Sequence, residues 1–421
     1  MIKQQQIEKL SNAIFEDVVS WRRHLHKNPE LSFQENETAK FVSSILTKYK
    51  IEHKTGIAKT GIVALIKGNS PDKKCIALRA DLDALPIQET NLHSFISKNK
   101  GVMHACGHDY HTATMLGVGV ILNELKDSFE GTIKLIFQPS EEKLPGGAKV
   151  MIEKGVLEKP KVDFIIAQHV TPEVNTGKVG IAKGIFMASA DEIYLKVKGK
   201  GGHAAFPEKL NDPVITAAQI LTNLQQVISR KKDPFLPAVL SFGKVIANGA
   251  TNIVPNEVKI EGTLRAMNEK WRKEAHSSIK TTAENTAKAN NCSCEVDIKI
   301  GYPCLENNIE LSEKTTQFAE EILGKENVFE IDSGLNWYYG YGAGLGNTRF
   351  EFISNPQNTN ETYRPDGGVF GLIAGDVGIE YKFDFPLLIS LDFRPEIGVF
   401  GYNNYKDNFD FDIGLGLRYY F

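Results

Sequence analysis

Residues 104–111, HACGHDYH, contain three histidines, a cysteine and an aspartate within eight positions. Cys106 and His108 are two positions apart, and in a loop this offset allows both side chains to reach one metal ion. Thiolate and imidazole are ligands that zinc prefers. The alternative is a polar loop with one buried cysteine. We favour a metal site, because further candidate ligands occur elsewhere in the chain.

Three short apolar segments, 75–78, 132–137 and 164–167, are predicted to be strands, and each is followed by polar residues. In open α/β sheets, ligands bind at the carboxyl ends of the strands. We therefore expect these polar residues to share one site with Cys106 and His108. They are Asp81, Asp83, Glu141, Glu142 and His169.

The helices of this first part are predicted from apolar residues at helical spacing. They cover residues 5–27, 35–49 and roughly 112–125. Asn28-Pro29 ends the first helix, because the residue before a proline is disfavoured in the α region.

From about residue 188 the pattern changes to the order strand, helix, strand, strand, helix, strand. This order is typical of a ferredoxin-like module. We interpret residues 188–300 as such a module, inserted into a catalytic domain formed by 1–187 and 301–331. The predicted elements are 191–198, 211–230, 238–247, 256–266, 269–289 and 293–300; a helix at 308–323 and a strand at 327–331 follow.

The composition changes near residue 331, where we predict a boundary. All ten histidines, all five cysteines and 43 of the 49 Lys and Arg residues precede it, whereas 20 of the 39 aromatic residues follow it. Residues 332–421 alternate between apolar and polar positions in about four segments. This alternation is typical of the strands of an outer-membrane β-barrel. The alternative is a soluble antiparallel sheet. Four strands cannot close a barrel, so we interpret this part as a barrel fragment.

Charge and cysteine content exclude several classes of protein. A net charge of -3 provides no basic surface for nucleic acid. The five cysteines are irregularly spaced, which argues against a disulfide framework. The chain begins without a signal-peptide pattern and has no run of eighteen apolar residues, so we expect a cytoplasmic protein.

Six motifs in the first 331 residues carry a resemblance to a known family. The sequence resembles the metal-dependent N-acyl-amino-acid amidohydrolases, which include aminoacylases, hippurate hydrolase and the auxin-conjugate hydrolases. This resemblance implies an α/β zinc-peptidase-like catalytic domain with an inserted dimerisation lid. The motifs are RRHLHKNPE at 22–30, ADLDALP at 80–86, HACGHD at 104–109, QPSEE at 138–142, GGHAA at 201–205 and NIVP at 252–255.

The resemblance also implies a role for each matching residue. Two divalent ions, zinc or manganese, would be bound by Cys106, His108, Glu142 and His169. Glu141 would be the general base, and Asp83 would orient the site. His203 would reach the active site of the partner subunit in a homodimer and stabilise the oxyanion.

Other residues have less specific interpretations. Asn252 and Arg265 are candidate contacts of an N-acyl amino acid substrate, or else surface or capping residues. His24, His26 and Glu30 are interpreted as structural. His104 and His111 either orient the ligands or are ordinary loop histidines. We also expect the adjacent Glu141 and Glu142 side chains to point apart, one toward metal and one toward water.

One departure from the family pattern bears on activity. The family has a last histidine ligand near its C-terminus, whereas this sequence has no histidine after His276. We therefore expect an impaired site and a chimeric or fused chain with its junction near residue 331. The rival hypotheses are a barrel fragment fused to an inactive amidohydrolase remnant, and a non-catalytic module that still binds substrate.

Overall fold

The computed structural model describes residues 4–331, 335–347, 369–382, 387–400 and 409–419. The chain divides into two units, Met1–Phe329 and Glu330–Phe421. The remaining positions of the predicted C-terminal segments, such as 383 and 420–421, lie outside the described residues.

A five-stranded mixed sheet forms the centre of the first unit. Its strand order is β1-β2-β4-β3-β5; β3 runs parallel to β4 and β5, and the other pairs are antiparallel. The elements are α1 (Gln4–Lys27), α2 (Asn36–Lys48), β1 (Glu52–Ile57), β2 (Gly61–Lys67), β3 (Cys75–Asp81), α3 (His108–Glu124), β4 (Thr132–Gln138), α4 (Gly147–Glu153) and β5 (Phe164–Ala167).

The three long helices share one hydrophobic core with this sheet. Trp21 of α1, Val42 of α2 and Leu116 of α3 are buried together with Ile62 and Phe137 of the sheet. Burying an aliphatic or aromatic side chain of this size contributes roughly 1.5–3 kcal/mol. The core therefore holds the helices against the strands whose carboxyl ends carry the polar residues.

Helix α3 begins four residues earlier than the sequence predicted. Gly107 has a φ of +91°, and its carbonyl accepts hydrogen bonds from the N–H groups of Tyr110 and His111. The apolar pattern did not reveal this start, because the first turn of α3 is polar and buried. His108 is consequently a helical residue, held by the first turn of α3.

A second sheet and core lie in residues 188–300. The strand order is β10-β12-β8-β13, all antiparallel, and α5 and α6 pack on it through Ile193, Leu224 and Ile279. The role of this segment as a dimerisation lid stays a prediction. The elements from residue 179 are β6 (Val179–Ile181), β7 (Gly184–Met187), β8 (Asp191–Lys198), β9 (Gly202–His203), α5 (Pro213–Ser229), β10 (Ala238–Ile246), β11 (Ile253–Val254), β12 (Glu257–Ala266), α6 (Glu269–Ala289) and β13 (Ser293–Ile300).

The remaining elements of the chain are β14 (Leu305–Asn307), α7 (Ile309–Leu323), β15 (Val328–Glu330), β16 (Leu335–Asn347), β17 (Val369–Lys382), β18 (Leu387–Phe400) and β19 (Phe409–Tyr419). Strands β16 to β19 pair in sequence order, each antiparallel to the next. The interpretation of this part as an outer-membrane fragment stays a prediction. In the part of the chain that the structure describes, no helix is both long and apolar enough to cross a membrane.

A buried ion-pair network connects the start of β8 with α6. Asp191 accepts hydrogen bonds from Arg272 at 2.6 and 2.8 Å, from His276 at 2.6 Å and from the N–H of Gly301 at 3.1 Å. Burial by itself raises the pKa of Asp191, but these hydrogen bonds outweigh it and hold the pKa well below its usual range. Asp191 and Arg272 are 1% and 3% exposed, and Arg272 also bonds Glu269, whose side chain is 39% exposed, so Asp191 is the buried counterion of Arg272.

We expect Asp191→Asn to lower the free energy of unfolding by about 3 kcal/mol, because it removes the buried counterion of Arg272 and leaves the guanidinium paired with the partly exposed Glu269. Urea denaturation of the purified chain measures this change. The matched control is Asp297→Asn in β13, where the carboxylate is 60% exposed beside Lys299; it should alter stability by less than about 0.5 kcal/mol. Equal stabilities of the two variants would contradict the role of Asp191.

Candidate active site

His108 is the residue around which the candidate ligands converge. Its Nδ1 lies 2.8 Å from the backbone carbonyl of Asp83 and donates to it. Its Nε2 is buried and has no hydrogen-bond partner among the described residues. Three carboxylate oxygens surround this nitrogen, from Asp81 at 3.7 Å, Glu142 at 3.9 Å and Glu141 at 4.0 Å. A buried nitrogen that faces several carboxylates is suited to share a cation with them.

The electrostatic surroundings of His108 also favour a cation. Burial works against the charged imidazole, but the hydrogen bond with Asp83 and the charges of Cys106 and Asp81 together raise the pKa of His108 to about 11. Without metal, a proton on His108 supplies the positive charge that these groups require. A divalent ion would supply positive charge in place of this proton.

Cys106 and His169 also lie near His108. The Cys106 Sγ is 3.4 Å from the His169 Nε2, while the His169 Nδ1 bonds the carbonyl of Val170 at 2.7 Å. A side chain at Gly107 would come within 2.4 Å of Val170. Glycine is therefore needed here for close approach as well as for its positive φ. The donor atoms of Cys106, His108 and His169 lie within 4.8 Å of one another.

Asp83 holds the backbone of the glutamate pair. Its Oδ1 accepts a hydrogen bond from the N–H of Glu141 at 2.9 Å, and its Oδ2 accepts from the N–H of Glu142 at 3.0 Å and the Ser32 hydroxyl at 2.6 Å. Both N–H groups bond one carboxylate, so the chain turns around Asp83. The two glutamate side chains consequently approach the same His108 nitrogen. The expectation that they point apart is wrong for this structure.

Two further residues anchor this loop, and sequence reasoning missed both. Buried Glu35 accepts hydrogen bonds from the N–H of Ser140 at 2.8 Å and from the hydroxyl of Thr60 at 2.6 Å. The hydroxyl of Tyr302 donates to the carbonyl of Glu141. Burial and the negative charges of Glu141 and Asp83 raise the pKa of Tyr302 to about 12, so it remains a donor at neutral pH. Neither residue belongs to a motif, and Tyr302 is 161 positions from its partner.

The two histidines left open by the sequence occupy different surroundings. Both nitrogens of His111 are engaged, since Nδ1 bonds Asp81 at 2.7 Å and Nε2 accepts from the N–H of Val170 at 3.0 Å. His111 therefore orients Asp81. Neither nitrogen of His104 has a hydrogen-bond partner among the described residues. Burial lowers the pKa of His104 to about 4, which keeps it neutral. Glu30 accepts from the N–H groups of Glu37 and Thr38 at the start of α2, which is a structural role.

The three candidate substrate residues lie within residues 188–300. His203 is exposed on β9, where it pairs with Ile253, and Arg265 is exposed on β12. The carbonyl of Asn252 accepts from the N–H of Ala204. Within the described part of the chain, no hydrogen bond or ion pair connects these residues with the Cys106–His108 cluster. Their predicted roles stay predictions.

Residues 77–344 match the model of peptidase family M20/M25/M40. The chain belongs to this family. It is 42% identical over 298 residues to an N-acyl-L-amino acid amidohydrolase of Geobacillus stearothermophilus, covering 71% of this chain and 80% of that protein. It is 39% identical over 306 residues to a hippurate hydrolase of Campylobacter jejuni, covering 73% and 79%.

Solved structures of the family are similar as well. One is a putative aminohydrolase from methicillin-resistant Staphylococcus aureus, with a TM-score of 0.74, 37% identity and coverage of 78% of this chain and 84% of that one. Another is a dinuclear metal-binding peptidase of Bacillus subtilis, with a TM-score of 0.64, 34% identity and coverage of 76% and 82%. This M20-family chain is thus an enzyme of the metallopeptidase and amidohydrolase class, and its α/β fold is that of the family.

We expect Asp83→Asn to weaken metal binding about 10- to 100-fold, as is typical when a group that orients ligands is lost. An asparagine keeps one acceptor oxygen, but its NH₂ group would face one of the two backbone N–H groups that now donate hydrogen bonds to Asp83. Competition of the purified chain with a chromogenic chelator measures the affinity. Asp127→Asn, at an exposed position, is the control. Parent-like affinity in Asp83→Asn would show that metal binding does not depend on the contacts of this carboxylate with Glu141 and Glu142.

Proposed function

We propose that this M20-family chain hydrolyses the amide bond of N-acyl amino acids, with metal bound by Cys106, His108, Glu142 and His169 and with Glu141 as general base. The observation that carries the proposal is the buried Nε2 of His108, which has no hydrogen-bond partner among the described residues and lies near both the carboxylates and the Cys106–His169 pair. The donor set of thiolate, imidazole and carboxylate suits zinc or manganese.

When bound, divalent ions polarise the scissile carbonyl and lower the pKa of the attacking water. In this proposal Glu141 transfers the proton of the attacking water. Burial and the charge of Glu142 raise the pKa of Glu141, which makes its carboxylate a stronger proton acceptor. Glu141 takes a proton from the water as the new C–O bond forms. It then gives this proton to the leaving nitrogen as the C–N bond breaks.

The remaining groups of the proposal bind the substrate. Asn252 and Arg265 would contact the substrate carboxylate, for which the planar guanidinium provides two parallel donors. His203 would stabilise the oxyanion in the partner subunit of a homodimer formed through residues 188–300. The relatives named as N-acyl amino acid hydrolases support this substrate class.

Reduced activity is part of the proposal. The four proposed ligands are one fewer than the family resemblance implies, since no histidine follows His276. We therefore expect weaker metal binding and slower turnover than in a complete five-ligand site. The rival interpretation, a barrel fragment fused to an inactive remnant, gains no support from the family match or the relatives.

The test is hydrolysis of a panel of N-acetyl and N-benzoyl amino acids by the purified chain, with zinc or manganese and again with chelator. We expect turnover that chelator abolishes. Glu141→Gln should lower kcat about 10²- to 10⁴-fold, because the amide cannot accept the water proton, while metal content stays unchanged. Glu153→Gln, exposed on α4, is the matched control. Absence of turnover in a folded, metal-loaded parent would overturn the proposal.

A further inference from the structure

A second polar cluster lies between α1 and the loop that follows β3. Its members are His26 from α1 and Glu89 and His93 from the loop. The His26 Nε2 is 3.2 Å and the His93 Nε2 is 3.1 Å from the same oxygen, Glu89 Oε1. All three donor atoms lie within 4.8 Å of one another. None of the three residues belongs to the site proposed above.

The two distances to Glu89 Oε1 agree with the geometry of a tetrahedral metal site. Ligands 2.0–2.1 Å from a zinc-type ion at tetrahedral angles lie roughly 3.3 Å apart. Two imidazoles and one glutamate also form a known zinc ligand set with an open fourth position. The Asn91 amide is 3.1 Å from Glu89 Oε1. Rotation of this amide by 180° would direct its oxygen there as a fourth ligand.

His26 is oriented as metal-binding histidines usually are. Its Nδ1 donates to Asp109 at 2.7 Å, and Asp109 is 1% exposed and paired with Arg22 at 2.8 Å. A carboxylate on one ring nitrogen directs the other nitrogen outward as a ligand. Here the second nitrogen faces Glu89.

The other two side chains are held with their donor atoms facing His26. The Glu89 side chain is only 2% exposed, and its Oε2 accepts from the N–H of Ser97 at 2.6 Å, so Oε1 faces the imidazoles. The His93 ring stacks on Phe95 with centroids 3.9 Å apart. The His93 side chain is 32% exposed, which provides an entry path from solvent.

The carboxylate charge of Glu89 needs one positive charge to balance it. Arg22 compensates Asp109, whereas Glu89 Oε1 is in contact with two imidazoles and one amide among the described residues. Without metal, His26 must carry protons on both nitrogens to bond Asp109 and Glu89 together. The His93 Nδ1 meanwhile is buried with no partner among the described residues.

We propose that His26, Glu89 and His93 bind a zinc-type divalent ion at a site separate from the Cys106–His108 cluster. The ion replaces the proton on the His26 Nε2 and ties α1 to the loop that leads into residues 104–111. The role is structural, so the proposal does not depend on whether the chain hydrolyses amides.

Metal stoichiometry of the full chain tests the proposal. After equilibration with zinc and removal of free metal, His93→Gln should contain about one zinc fewer per chain than the parent. His24→Gln, at an exposed position two residues from His26 on α1, is the matched control and should retain the parent content. Circular dichroism of each variant establishes that it is folded. Equal zinc in the parent and His93→Gln would overturn the proposal and leave only an ion pair between protonated His26 and Glu89.

Cobalt substitution separates the two sites by their ligands. Only the Cys106 cluster contains a thiolate, so only that site should give a sulfur-to-cobalt charge-transfer band. His93→Gln should lose the part of the visible cobalt absorption that the second site contributes and keep this band, whereas Cys106→Ser should lose this band and keep the absorption of the second site. His93→Asn serves as a second variant if the glutamine variant is unstable. Loss of the charge-transfer band in both His93 variants would contradict a separate site.

Discussion

The geometry of the site depends on one carboxylate, Asp83, which lies two residues beyond the end of β3. It accepts hydrogen bonds from the N–H groups of Glu141 and Glu142, and the backbone carbonyl of Asp83 accepts a hydrogen bond from the Nδ1–H of His108. Three candidate functional residues from distant parts of the sequence are thus held by one residue. A carboxylate with several donors stays ionised despite burial, and here these bonds lower the pKa of Asp83 against the effect of burial.

The support extends outward through buried polar groups. Glu35, which is 0% exposed, fixes the N–H of Ser140, a residue with a φ of +47°. Tyr302 fixes the carbonyl of the next residue, and Gly146 has no side chain that would collide with the Tyr302 ring. Buried polar groups are costly unless they are paired, so each partner constrains the other. The loop at 140–142 is therefore held both through a backbone N–H group, that of Ser140, and through a backbone carbonyl, that of Glu141.

The sequence predicted which residues lie close together better than it predicted their geometry. Motifs and polar strand ends identified Cys106, His108, Glu141, Glu142 and His169, because their residue types are informative and the predicted strands at 132–137 and 164–167 are strongly apolar. The start of α3 could not be predicted, because its first turn buries polar side chains and carries no apolar period. The contacts of Glu35 and Tyr302 are equally invisible, since they join residues 105 and 161 positions apart through ordinary side chains. The direction of the glutamate side chains depends on how the backbone turns around Asp83, which no local pattern encodes.

The first turn of α3 explains how a single motif serves two polar clusters. His108 and His111 are three positions apart, which places them on the same face of the helix, and both lie within reach of Asp81. Asp109 is one position from His108, about 100° around the helix axis. Its side chain therefore points away from Asp81 and bonds Arg22 and His26 instead. Because Asp109 and His108 are adjacent in one helical turn, a displacement of Asp109 would also displace His108. The position of His108 among its candidate co-ligands is thus coupled to the packing of α1, although no residue of α1 lies among those ligands.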